Sequence, residues 1–257
     1  MPSNPSRLTR NLPGLLTLAA AVVLWEAVVR VFAISPILLP SPLMVWEEFW
    51  KAPAFFLYNA GVTLTVTLVG FLLSVVFGIL LAVLIVSSKT LERPVFSLLV
   101  ALNSVPKVAL APLFVVWMGI GPEPKIAIAV MLAIFAIVID TVLGLRSVDP
   151  DMINLARVGR AKPWQILVKV RLPCALPSIF AGLKVAISLA LIGAIIGEFV
   201  GSSSGLGFAI LTAQGQFDTP SLFVSLVLLI AMGSLLFTMM ETIERLAIPW
   251  HTSVRSH

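Results

Sequence analysis

Ionisable side chains set inside long apolar runs are the residues here whose chemistry needs a reason. Glu26, Arg30, Lys107, Asp140, Lys184, Glu198, Glu244 and Arg245 interrupt stretches otherwise rich in Leu, Val, Ile, Ala and Phe. A charge in hydrocarbon costs about 3 kcal/mol or more, so such a group pairs, reaches an interface or lines a polar cavity. Glu26 and Arg30 stand four apart on one helix face and are expected to pair. Asp140 is expected to reach the interface, Lys184 to snorkel from the start of its segment, and Glu244 to pair with Arg245. Lys107 follows Val105-Pro106, where proline frees backbone groups, and structural support is its expected role ahead of lining a cavity. Glu198 follows Gly193-Ala-Ile-Ile-Gly197, a run small enough for close helix approach, and precedes Gly201-Ser-Ser-Ser-Gly205. A gating or packing hydrogen bond is its expected role, since a carboxylate is ill suited to holding an anion.

Catalytic patterns are absent from the sequence. It has no Gly-x4-Gly-Lys-Ser/Thr phosphate loop, and the glycines between 201 and 207 lack the lysine and follow a membrane helix rather than a strand. There is no His-Glu-x-x-His and no Thr-Val-Gly-Tyr-Gly filter, and Gly201-Ser-Ser-Ser-Gly205 fits Gly-x-Ser-x-Gly in letters only, since it follows a membrane helix rather than a strand. Cys174 is the single cysteine, so no internal disulfide or thiol-rich metal site can form. His251 and His257 both lie in the tail. Neither enzyme activity nor a cofactor is expected.

The elements that position these charges are membrane spans. The chain is 59% hydrophobic and 11% charged, with a mean hydropathy of +1.08. A soluble domain carries roughly 25% charged residues, so lipid is the expected outer solvent. The net charge of +5 does not point to nucleic acid, because the basic residues cluster between apolar segments. Six such segments approach bilayer length, near 12–34, 62–86, 95–118, 126–145, 181–200 and 222–246. The first resembles a signal peptide in its flanking Arg7 and Arg10. It is too long for one and carries Trp25, Glu26 and Arg30, so it reads as a retained anchor.

Counting positive charge fixes the expected orientation. With both termini inside, the cytoplasmic side receives Arg7, Arg10, Lys89, Arg93, Arg146, the cluster from Arg157 to Arg171, Arg245 and Arg255. The other side receives only Lys51 and Lys125. The outer connections are then 35–58, 119–125 and 201–221. In the first, Ser41 and Pro42 are placed to start a short interfacial helix, with Trp46 and Trp50 at the lipid boundary. The expected organisation is one all-α domain over 1–257, with a core of about 55–245 and a cytoplasmic loop at 146–180.

That loop is longer than a turn requires. Asp149-Pro150 caps a short helix, with Met152, Ile153, Leu155 and Ala156 toward one side and Gly159 as its stop. A second helix starts at Pro163, with Trp164, Leu167, Val168 and Arg171 on one face, and is expected to end where Pro173 forces Leu172 out of helical geometry. Apolar knobs on a cationic platform are what docking to a soluble partner needs.

The stretch from Asn154 through Ala156, Arg157, Gly159, Arg160 and Trp164 to Leu172-Pro173 and Ile179 resembles the EAA loop of ABC-importer permeases. The likeness is greatest to the branch handling nitrate, sulfonate, taurine, bicarbonate, and thiamine-pyrimidine or riboflavin-type solutes. Ser104 to Gly121, Gly144-Leu-Arg-Ser-Val-Asp-Pro150, Gly197-Glu-Phe-Val-Gly201 and Gly205-Leu-Gly207 extend it over most of 40–245. The family pattern is Glu-Ala-Ala, three residues, Gly, nine residues, Ile-x-Leu-Pro. Ala156 and Val170-Arg-Leu-Pro173 fit it. Asn154 stands at the glutamate, and Arg160 stands at the glycine, with Gly159 one residue early.

The resemblance implies a type I ABC-importer-like permease fold with six transmembrane helices in a bacterial inner membrane. It implies a translocation path, for which Lys107 and Glu198 are candidate lining or gating residues. It implies coupling through the loop to two ATP-binding subunits, pairing with a second permease copy, a homodimer by expectation, and delivery by a periplasmic or lipid-anchored binding protein. The solute expected is a small anion or a vitamin precursor. An ion-coupled carrier is the alternative, and would show inverted repeats and buried acidic coupling sites; neither is found.

Overall fold

The computed structural model describes residues 7–87 and 103–249, with 94, 97, 98 and 101 between them; side chains are described from 16 onward, except 18. Among these residues every regular element is helical. They are α1 (Arg7–Val31), α2 (Pro42–Lys51), α3 (Pro53–Ser87), α4 (Ala111–Met118), α5 (Pro122–Arg146), α6 (Pro150–Val158), α7 (Pro163–Ile166), α8 (Leu172–Gly201), α9 (Leu206–Gly215) and α10 (Thr219–Ala247). A 3-10 turn, Lys107–Leu110, leads into α4, and a π-helical turn, Leu167–Arg171, joins α7 to α8.

Among the described residues four helices are long and apolar enough to cross a bilayer: α3, α5, the continuous run Pro163–Gly201 that contains α8, and α10. α1 adds a helix of 25 residues, itself of spanning length. α5 and α8 form the centre and run antiparallel, and glycine sets their spacing. Gly197 lies on Lys125, Gly193 on Ala129, Gly182 on Asp140 and Gly144 on Ala175 and Ser178. A Cβ at Gly193 would sit 2.6 Å from the Ala129 Cα, so only glycine permits this approach. The register holds without slippage over about five turns.

α3 also packs on α5, with Gly70 at Ala129 and Gly78 at Ile137, so these two helices run parallel. Residues 87 and 122 therefore stand at opposite ends of the bundle, as an intervening crossing requires. α10 runs antiparallel to α8, Glu244 meeting Lys184 and Gly233 meeting Leu191. At the top of α1, Trp25 packs on Phe223 of α10, and Glu26 accepts the Leu43 N–H at the start of α2. The start of α1, the ends of α3, α5 and α10, and the α6–α7 loop thus share one end; α2 and α9 mark the other. Phe71, Ile137, Ile179, Ile187 and Met232 fill the space between, while Leu72 and Leu84 of α3 and Ile230 and Leu235 of α10 point outward, as lipid requires.

Several local expectations hold. Ser41 caps α2 by accepting from Met44 N, and Trp46 and Trp50 are exposed beside each other. Asp149 caps α6 by accepting from Asp151 N, and Arg30 pairs with Glu26 at 2.5 Å.

Others are corrected. α3 begins at Pro53, not near 62: proline suits the first helical position, the apolar run Ala54–Leu57 continues it, and Asn59 is accommodated by donating to the Phe55 carbonyl. The third segment is not one helix: the chain leaves helical form at 104–106, at Pro106, before resuming at Lys107. Its positions 95, 96, 99, 100 and 102 lie outside the described residues, as do Lys89, Arg93, His251, Arg255 and His257. Pro173 does not end a helix. Leu172 is helical (φ −63°, ψ −46°), and its N–H reaches the Leu167 carbonyl, five residues back. The wider π turn lets the proline enter without breaking the run. The outer connection at 201–221 contains a helix, α9. Lys184 does not snorkel alone but pairs with Glu244 at 2.8 Å, and Arg245 pairs with Glu241 instead. Residues adjacent on a helix point about 100° apart, whereas those four apart share a face.

Candidate functional site

Two groups of residues stand out, one at each end of the bundle. At the α9 end, Glu198 is 1% exposed and its carboxylate is surrounded by donors. Oε1 accepts from Thr63 Oγ1 at 2.8 Å, and Oε2 accepts the Gly207 N–H at 2.7 Å. Thr63 Oγ1 in turn accepts the Leu206 N–H at 2.8 Å, and Asn59 Oδ1 accepts the Gly205 N–H at 2.7 Å. The first N–H groups of α9, which no helical carbonyl can satisfy, are thus capped by side chains from α3 and α8. The negative carboxylate also sits where the helix dipole is positive.

This arrangement accounts for Gly205-Leu-Gly207. Gly205 has φ +108°, and a Cβ there would overlap the Glu198 carboxyl; one at Gly207 would lie 2.8 Å from the Glu198 Cβ. Asn59 and Thr63 were not singled out in the sequence. The signal was present: Asn59, Thr63, Thr67 and Ser74 recur at helical spacing inside an apolar run, and all four are buried. Nearby, Lys125 is also buried, its Nζ donating to Ser202 Oγ at 2.9 Å, although the sequence placed it on an outer connection.

Lys107 sits apart from that cluster. Its Nζ donates to the Asn103 carbonyl and side-chain oxygen at 3.1 and 2.6 Å and lies 4.7 Å from the centre of the Phe135 ring. Its hydrogen-bonding is local, and Glu198 and Lys107 are not brought together.

At the opposite end, α6 and α7 project apolar side chains with no partner among the described residues. Leu155, Val158 and Trp164 are 74%, 82% and 58% exposed. Asn154, Arg157, Gly159, Arg160 and Pro173 are exposed around them, while Ala156 and Leu172 are half-buried toward the bundle. Gly159 has an ordinary φ of −72°; the left-handed residue is Arg160, at φ +55°. The Ala161 N–H reaches the Ala156 carbonyl and the Arg160 N–H the Arg157 carbonyl, closing the helix end. Arg160 therefore occupies the conformation that glycine best tolerates, at the position where the family pattern has glycine. Behind the knobs, a cleft of about 440 Å3 runs from Val86 and Ser87 of α3 to Arg157, Trp164 and Arg171.

Residues 74–249 match the family described as binding-protein-dependent transport system inner membrane component. The chain is 36% identical over 230 residues to the formylaminopyrimidine transport permease protein ThiX of Halalkalibacterium halodurans, covering 89% of this chain and 92% of the relative. It is 35% identical over 240 residues to the riboflavin transport system permease protein RibX of Chloroflexus aurantiacus, covering 93% and 90%. It is 30% identical over 243 residues to the putative aliphatic sulfonates transport permease protein SsuC of Bacillus subtilis, covering 93% and 88%. In fold it is similar to a chain of the MetNI methionine ABC transporter in inward-facing conformations, with a TM-score of 0.68 and 24% identity over 76% of this chain and 97% of that one. The packed α3–α5–α8–α10 bundle, the helical loop between α5 and α8, and the extent of these matches lead to one assignment: the chain belongs to the family of binding-protein-dependent transport inner-membrane components, as a permease subunit of an ABC importer and not itself an enzyme.

Proposed function

We propose that this permease lies with both termini and the 146–180 loop in the cytoplasm, and that the α6–α7 hairpin is where two ATP-binding subunits engage a pair of permease chains. The observation that carries the reading is the exposure of Leu155, Val158 and Trp164 beside Arg157, Arg160 and Lys162. Apolar side chains at a membrane protein's aqueous end lower the free energy only when a partner covers them. The basic residues of the same end favour the cytoplasm by the positive-inside rule.

In this reading 1–257 acts as one domain. ATP-driven closure of the nucleotide-binding subunits moves the hairpin, and the continuous helix Pro163–Gly201 carries that motion to the α9 end. A shift between inward- and outward-open populations follows from ATP binding one state better than the other. Asn154, Ala156, Arg157, Gly159, Arg160, Trp164, Leu172 and Pro173 form the coupling element. Glu198 fixes α9 and so the shape of the outer mouth, and Lys107 supports the break in the third segment. A periplasmic or lipid-anchored binding protein selects the solute, for which the relatives' names favour a small sulfonate-like anion or a vitamin precursor.

The hairpin reading is tested by co-purifying the cognate ATPase with wild type, Trp164→Ala and Leu155→Asp. Recovery of the ATPase falls in both variants while the permease stays folded. Undiminished recovery and uptake in both would remove the hairpin from the interface.

A further inference from the structure

At the α9 end a cleft of about 630 Å3 opens between α3, α5 and the loop after α8, lined on its polar side by Tyr58, Thr65, Lys125, Ser202, Ser203 and Ser204. Among the described residues no carboxylate lines it, although that of Glu123 reaches Gly121 at its rim. Lys125 is 5% exposed, and the stem of its side chain is seated against Gly197, where a Cβ would come within 2.8–3.1 Å of its Cα, Cβ and Cγ. Seated in this way, it is not a mobile surface lysine. Its ammonium has three donors and among the described residues makes one hydrogen bond, to Ser202 Oγ at 2.9 Å. That hydroxyl is already engaged with Ser204, donating to its carbonyl at 2.5 Å and accepting from its N–H at 3.2 Å.

Among the described residues no carboxylate makes an ion pair with Lys125. Glu198 lies one helical turn before Ser202 and feels the Lys125 charge from beyond contact, and its oxygens are taken by Thr63 and Gly207. A bolt between α5 and the loop after α8 would need only a neutral donor. A cation held in the wall of a partly shielded cleft, with hydroxyls around it and no counter-charge at contact, is stabilised by an anion that arrives from outside. We propose that this cleft is a transit site for a small oxyanion of the sulfonate or nitrate type, with Lys125 supplying the charge and the Ser203 and Ser204 hydroxyls the remaining hydrogen bonds. The proposal rests on the permease reading and narrows its solute to an anion.

The test uses the full chain in phosphatidylcholine nanodiscs and saturation-transfer NMR on the methyl group of methanesulfonate, with dimethyl sulfone as its uncharged analogue. Methanesulfonate receives saturation, sodium nitrate competes it away, and dimethyl sulfone receives none. Lys125→Arg keeps the signal, and Lys125→Met weakens binding roughly tenfold or more, as expected for loss of a hydrogen bond to a charged group. Equal saturation of the two methyl probes overturns the proposal on wild type alone, whatever the variant's folding. So does an unchanged signal in a folded Lys125→Met. A phospholipid retained by wild type in native mass spectrometry and lost from Lys125→Met would assign the site to a lipid phosphate and also overturn it. ATP-driven uptake by the assembled transporter, measured separately, distinguishes these outcomes from failure of the permease reading.

Discussion

Thr63 Oγ1 lies 2.8 Å from Glu198 Oε1, joining α3 to α8 across 135 residues of chain. Both groups are buried, and both also hold backbone N–H groups at the start of α9. With its oxygens occupied by protein donors, the Glu198 side chain is held between α3, α8 and α9, in keeping with its proposed role in fixing α9.

Glu198→Gln keeps an oxygen for the Gly207 N–H but turns an NH2 toward Thr63 Oγ1, whose proton must then go to its second acceptor, the Asn59 carbonyl at 3.2 Å. Destabilisation of about 1 kcal/mol is expected from the weakened bonding. Glu198→Ala is expected to cost more, since it leaves the Thr63 hydroxyl and the Gly207 N–H without that acceptor. Thermal unfolding of detergent-solubilised protein checks this, and an unchanged midpoint in both would contradict that role.

Gly205→Ala is expected to be as damaging as any change at Glu198. The residue has φ +108° and ψ 163°, a region essentially reserved for glycine, and the added methyl meets the Glu198 carboxyl. Backbone strain alone is worth about 1–3 kcal/mol. Gly215→Ala, with open space around the Cβ position, is the control and is expected to be neutral or nearly so.

Lys184 and Glu244 tie α8 to α10 by an ion pair with side-chain exposures of 24% and 9%. Removing one partner, as in Lys184→Met or Glu244→Gln, is expected to cost on the order of 3 kcal/mol by stranding the other. The double variant Lys184→Met/Glu244→Met is expected to recover most of that loss. Additive losses in the double-mutant cycle would show that the two residues act separately.

Arg160→Gly relieves a left-handed arginine at the end of α6. The strain of about 1 kcal/mol is partly offset by glycine's greater freedom in the unfolded chain, leaving a net gain of roughly 0.5 kcal/mol. Slower hydrogen exchange at the Ala161 amide, which bonds back to Ala156, is the expected signature. Faster exchange there would mean that the Arg160 side chain stabilises the turn by other contacts.

What the sequence made legible follows physical rules that act locally. The four long apolar spans and the Ser41-Pro42 and Asp149-Pro150 caps depend on neighbours within a turn or two, and they appear where expected. The misses depended on partners distant in sequence or on helix irregularity. Lys184 looked like a snorkelling lysine because Glu244 is 60 residues away. Pro173 looked like a terminator because one-dimensional rules do not foresee a π turn that absorbs it. α9 was invisible because its capping groups come from Asn59, Thr63 and Glu198 rather than from the residues just before it. Lys125 was assigned to a loop because its burial is made by Gly197, on another helix. The glycine run was read as permitting close approach, but which helix approached, and in what register, emerged only from the fold.

The central claim is that this chain forms the passage while the energy comes from a separate ATPase acting on the α6–α7 hairpin. Solute uptake into proteoliposomes tests it most directly, comparing the permease alone, the permease with its ATPase, and the assembly carrying Trp164→Ala, each with the cognate binding protein and ATP. Uphill accumulation is expected only with the ATPase present, and reduced accumulation with Trp164→Ala. Concentrative uptake by the permease alone would contradict the account.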